Sequence, residues 1–231
     1  MKRILISILT ACIFAGLIFA AEYEATNENV KLLGRTYYDG NVLWNCFSAT
    51  GISFETDSSK VEITLAGDNK ANGQPVEGNT NICRVGVFVD GKRTHNILMQ
   101  NREEKILVFE NKSGEHKIEI VKLSESTSSV FGIDGITIDD GTKIYPSKNK
   151  KVKIEFIGDS ITCGYGVDDE DRNHHFSTQT EDATKTYAYK TAQALDADYS
   201  MVSCSGWGII SGYSGDGLIK DKKVMTLAYD K

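Results

Sequence analysis

Apolar and polar residues alternate strictly over 61–65 (VEITL), the two-residue period of a strand with one face in a core. Similar short runs recur at 84–89, 105–109, 116–122 (HKIEIVK) and 133–138 (IDGITI). Turn chemistry separates them, notably Asp90-Gly91 and Asn111-Lys112-Ser113-Gly114. No helical period interrupts the stretch from about 42 to 144. Strands of this length at this spacing predict an antiparallel β-sandwich.

The pattern changes after Pro146. Residues 147–151 (SKNKK) form a short polar linker, and 152–157 (VKIEFI) then runs directly into Gly158. From 186 to 197, Tyr187, Ala188, Thr191, Ala192, Ala194 and Leu195 fall at i, i+3 and i+4 spacings, which predicts a helix. A second short strand follows at 199–204. Strand, loop, helix and strand make a βαβ unit with parallel strands, and the first strand is expected to be buried. The expected organisation is therefore two units of different class, a sandwich over 22–147 and the first part of an α/β domain over 148–231.

The first 21 residues have their own logic. Lys2 and Arg3 precede an uncharged apolar run to Phe19, and small Ala20-Ala21 stand before polar Glu22. That order predicts a cleaved secretory signal peptide and an extracellular mature protein with no membrane partner. The formal net charge of -6 over 231 residues becomes more negative once Lys2 and Arg3 leave with the leader, which disfavours nucleic acid as a partner. Cys46, Cys83, Cys163 and Cys204 remain, scattered and without a C-x-x-C pair. They are expected to be buried thiols, with no zinc site.

Candidate chemistry centres on Gly158-Asp159-Ser160 at the strand end. A serine that attacks an ester must be exposed, near a base, and beside backbone N–H groups able to hold an oxyanion. Ser160 meets the positional demands: Gly158 lets the chain bend, Asp159 can brace the turn, and 161–163 begins a short helical turn. The sequence IEFIGDSITCGYG resembles block one of the SGNH (GDSL-type) hydrolases, specifically the carbohydrate esterase family 2 acetylesterases. Ser205-Gly206-Trp207-Gly208 resembles block two, and EDATKTYAYKTAQAL is similar to that family's first helix.

The resemblance implies a β-sandwich of jelly-roll type preceding a flavodoxin-like SGNH domain. It also implies Ser160 as nucleophile, the N–H groups of Ser160 and Gly206 as oxyanion donors, no metal or other cofactor, and acetylated poly- or oligosaccharide as substrate. Trp207 is a candidate for stacking on a sugar ring, core packing being its other role. Two elements of the superfamily are not matched: the asparagine of G-x-N-D and the late D-x-x-H histidine. No general base is identified, the sequence reads as truncated, and little or no turnover is expected of it. His174 and His175 read as solvated loop residues, and His95 and His116 as surface residues.

Two further patterns are weak. Gly206-x-Gly208-x-x-Ser211 imitates a dinucleotide fingerprint but ends on serine with no helical period after it. Asp168-Asp169-Glu170-Asp171 lacks the alternating ligands of a calcium loop and reads as a solvated acidic loop. The expected activity is hydrolysis of O-acetyl groups on xylan or glucomannan. A lipid or thioester hydrolase and a non-catalytic carbohydrate-binding protein are the rival assignments.

Overall fold

The computed structural model describes residues 20–74, 81–219 and 222–230. The predicted leader lies outside these residues except for Ala20 and Ala21. Those two open β1 (Ala20–Tyr23) and pair with Asp139 and Ile138.

Two six-stranded antiparallel sheets form the N-terminal unit. In the first, β3 (Thr36–Tyr38), β4 (Leu43–Asn45), β11 (Phe131–Asp139), β6 (Val61–Gly67) and β9 (Glu103–Phe109) run side by side, and β1 also pairs with β11. The second has the order β12 (Ile144–Pro146), β5 (Gly51–Thr56), β10 (His116–Lys122), β7 (Arg84–Val89) and β8 (Lys92–Leu98), with β2 (Lys31–Leu33) on β5. The alternation read from the sequence decides what lies between them. Val61, Ile63 and Leu65 of the first sheet and Phe54, Val85, Val87, Ile118 and Ile120 of the second are fully buried in one core. The antiparallel sandwich is thus as expected, although it begins at β1 and not near residue 42.

The opposite face of the second sheet is also covered. Val121 and Phe88 point away from the sandwich core and meet Ala183, Ala188, Ala192, Tyr199 and Met201 of the C-terminal unit. A strand buried on both faces loses strict alternation, and IVK in β10 (Ile120, Val121, Lys122) shows it, with all three residues buried.

The C-terminal unit is the predicted βαβ arrangement. β13 (Val152–Gly158) and β14 (Ala197–Ser203) are parallel and in register from Val152 opposite Ala197 to Gly158 opposite Ser203. Between them lie α1 (Ser160–Cys163) and α2 (Tyr187–Ala194), the latter capped by Thr186; α3 (Met225–Tyr229) follows β14. One expectation is corrected here. β14 is buried, but β13 is not: Val152 and Ile157 are 47% and 52% exposed, and β13 pairs with β14 alone among the described strands. Val152, Ile154 and Phe156 alternate with Lys153 and Glu155, the pattern of a half-buried strand, and that signal outweighs the overall apolarity of the run.

Ion pairs close the seam between the units. Arg93 forms a bidentate pair with fully buried Asp182 at 2.7 and 3.0 Å, a geometry suited to guanidinium and carboxylate. Arg84 binds Asp168 at 2.9 Å and the Glu181 carbonyl at 3.0 Å. Lys185 also pairs with Asp168, so the acidic 168–171 loop is tied to protein cations. Asp169 accepts from His174 at 2.8 Å. Burial of the thiols is corrected at one position: Cys83, Cys163 and Cys204 are buried but Cys46 is exposed.

Candidate active site

The turn that presents Ser160 is built by its neighbours. Asp159 caps α1, its Oδ1 accepting the Ile161 N–H at 3.0 Å, a common way of satisfying a first-turn donor. Gly158 is required by close approach: a Cβ there would sit 2.1 Å from Thr162 Oγ1 and 2.9 Å from Thr162 Cβ. Thr162 cannot swing aside freely, since it is buried and its hydroxyl lies 3.0 Å from the Tyr187 hydroxyl. Gly158→Ala is therefore expected to destabilise the protein by about 1–3 kcal/mol through overpacking. Urea unfolding should show Thr162→Ala recovering part of that loss in the double variant, and additive losses would contradict the clash.

Ser160, Gly206 and Trp207 meet in one cleft of about 430 Å³, whose walls include Tyr165 and Tyr213. Ser160 comes from the end of β13 and Gly206 from the end of β14. Parallel pairing in register delivers both loops to the same sheet edge, the usual place for a site in an open α/β sheet. Among the described residues, neither the Ser160 nor the Gly206 N–H has an acceptor, and the Ser160 hydroxyl bonds to no side chain. Trp207 borders the cleft and also packs against Phe47, Val202, Cys204, Met225 and Ala228.

The histidines lie elsewhere. His174 is exposed, and its hydrogen bond to Asp169 raises its pKa. His116 bonds Asp90 at 2.8 Å and is half-buried against Phe109, so it is not the open surface residue expected. His95 approaches Thr94 at 3.0 Å. Among the described residues, no histidine lines the Ser160 cleft.

Beneath the cleft is a buried cluster that sequence reasoning missed. Glu125, in the β10–β11 loop of the sandwich, is 2% exposed; its Oε2 accepts the Ser205 N–H at 2.7 Å and the Cys163 thiol at 3.6 Å. Glu125 in turn donates its own N–H to Glu181 Oε2 at 2.8 Å. Burial first, and the nearby charge of Glu125 second, push the Glu181 carboxyl up to about 8, so it is a neutral acid at pH 7. Burial also drives the Cys163 thiol well above its usual range, with Glu125 adding to the effect; it is not a nucleophile. Ligand atoms of Glu125, Cys163 and Glu181 lie within 4.8 Å of one another. The Cys163 thiol also interacts with Ser203 and Ser48, and the Lys122 ammonium, bonded to the Ser124 and Glu125 carbonyls at 2.7 Å each, supplies positive charge beside the cluster. The only sequence signal was a pair of acidic residues placed near buried strands.

Comparison with known proteins places this geometry. Residues 32–147 match the carbohydrate esterase 2 N-terminal family model. The acetylxylan esterase / glucomannan deacetylase of Cellvibrio japonicus is 29% identical over 196 residues, 83% of this chain and 51% of that protein. The chain thus spans about half the length of that relative. Among solved structures, an acetyl xylan esterase from the rumen bacterium Butyrivibrio proteoclasticus superimposes with a TM-score of 0.77 at 21% identity, over 92% of this chain and 55% of that one. A family two carbohydrate esterase from Clostridium thermocellum, in complex with cellohexaose, gives 0.70 at 23% identity over 80% and 54%. The matched sandwich, with the βαβ unit packed on it, makes this chain a member of carbohydrate esterase family 2.

Proposed function

We propose that this chain carries the nucleophile and two oxyanion donors of a secreted esterase that removes O-acetyl groups from plant polysaccharide such as xylan or glucomannan. The observation that carries the proposal is the meeting of the Ser160 hydroxyl with the unpaired N–H groups of Ser160 and Gly206 in one cleft. The name of the Cellvibrio relative supplies the substrate class, and the cellohexaose complex supports a carbohydrate ligand. The charged n-region and apolar run before Glu22 support secretion.

In the first step the Ser160 oxygen bonds to the acetyl carbon and its proton leaves to a base. The carbonyl oxygen becomes an oxyanion facing the two N–H groups. The ester bond to the sugar then breaks, the sugar oxygen takes a proton, and acetyl-Ser160 is left for water to hydrolyse to acetate. Donors already aimed at the oxyanion stabilise it without reorganisation. Trp207 offers an aromatic wall for a sugar ring.

With no histidine in the cleft, Ser160 remains a weak nucleophile, and turnover by this chain is expected to be slow. Acetate release from acetylated xylan with imidazole added as an external base for the Ser160 proton should exceed that of Ser160→Ala under the same conditions at least about tenfold. Equal rates in the two proteins would remove Ser160 from the mechanism. Preferential cleavage of p-nitrophenyl butyrate would move the substrate toward lipid esters. Polysaccharide binding with no turnover would favour a carbohydrate-binding role.

A further inference from the structure

One carboxylate oxygen, contributed by the sandwich, touches both halves of the cleft. Glu125 Oε2 accepts the Ser205 N–H at 2.7 Å, and Ser205 immediately precedes Gly206. The same oxygen accepts the thiol of Cys163, the last residue of the helix that begins at Ser160. Glu125 is itself held from three sides. Its N–H donates to Glu181, its carbonyl accepts from Lys122 at 2.7 Å, and the Leu123 carbonyl accepts the Ala183 N–H at 2.9 Å two residues earlier. Nothing else among the described residues bonds the Ser205 N–H.

We propose that Glu125 is a positioning residue: from the sandwich, it sets the spacing between the Ser160 helix and the Gly206 N–H, and so the geometry of the oxyanion pair. This rests on the esterase assignment above for its functional meaning, but the positional part stands on the contacts alone. The 205–208 loop is also tied by the Trp207 N–H to the Cys204 carbonyl at 3.2 Å, the Tyr213 N–H to the Gly206 carbonyl at 2.7 Å and the Gly208 N–H to the Lys223 carbonyl at 3.2 Å, but the peptide that carries the Gly206 N–H begins at Ser205, whose own N–H is held by Glu125. A charged acceptor is well suited to that anchor, because hydrogen bonds to charged groups are the stronger ones. The sandwich then takes part in building the site and is more than a neighbour of it.

The test is residue-resolved amide exchange by NMR on the whole chain, with Glu125→Ala and Glu125→Gln. In Glu125→Ala the Ser205 amide should exchange about tenfold faster or more, and the Ser160 and Gly206 amide resonances should both move, while amides of β6 and β11 keep their rates. Glu125→Gln retains a carbonyl acceptor and should restore Ser205 exchange to within about threefold of the parent. Unchanged exchange at Ser205, or a uniform acceleration of all amides, overturns the proposal, the second because it marks general destabilisation. With acetylated xylan, Glu125→Ala should lower kcat and leave KM unaltered, as expected when only the transition state feels the change. A parent chain that releases no acetate even with imidazole added as the base counts against the esterase assignment, and amide exchange still decides the role of Glu125.

Discussion

Glu181→Gln should abolish most of a pH-dependent loss of stability that the parent protein shows between about pH 4.5 and 8. Glu181 is fully buried, and its carboxyl titrates at about 8 in the folded protein against 4.5 when unperturbed. Folding therefore favours the protonated form. Its contribution is complete below pH 4.5, where both states are protonated, and drains away as pH rises because the unfolded chain ionises first. Glu125 repels the ionised form, whereas its N–H together with Lys122 and Arg84 opposes that effect without cancelling the desolvation. The full span is on the order of 5 kcal/mol at most. Glutamine keeps an oxygen for the Glu125 N–H and cannot ionise. Urea midpoints for the two proteins should agree near pH 5 and diverge by pH 9 with the variant more stable; parallel curves would show that Glu181 is not held neutral.

Gly164→Ala is expected to cost more than any substitution at the cleft surface, about 3–5 kcal/mol, and to displace Ser160 with it. Gly164 closes α1 with φ of +87°, and a Cβ there would lie 2.5 Å from the Asp182 carbonyl oxygen and 2.7 Å from its carbon. Both obstacles are backbone. The Asp182 segment cannot retreat, because Arg93 grips the Asp182 carboxylate and Ala183 bonds to Leu123. Thermal unfolding should show the loss, and a variant as stable as the parent would mean that this contact is looser than the structure has it.

Legibility from sequence followed the range of the interactions involved. Strict alternation marked β6, short apolar runs bounded by turn residues marked β7 and β10, and the Gly-Asp-Ser turn was legible because Asp159 caps the very next residues. The three-residue strands β2 and β3 were missed, since so few positions define no period. Pairing of Ser160 with Gly206 could be anticipated only through family resemblance, as 46 positions of chain separate the two motifs. Glu125 and Glu181 carried no signal beyond being acidic residues near buried strands. Their burial arises where two units meet, and ESTSS after β10 has the composition of an ordinary exposed loop.

The seam also sets an order of assembly. The Arg84–Asp168, Arg93–Asp182 and Glu125–Ser205 bonds join residues 84, 89 and 80 positions apart. Forming them requires the entropy of closing the intervening chain to be overcome, as does the sandwich's own pairing of Ala20 with Asp139, 119 positions apart. Emerging first from the ribosome, the sandwich supplies the surface on which residues 160–206 then settle. The Gly158–Ser160 turn is local and forms at once, whereas the Ser205 N–H reaches Glu125 only once the sandwich is in place, so the cleft takes shape after the sandwich.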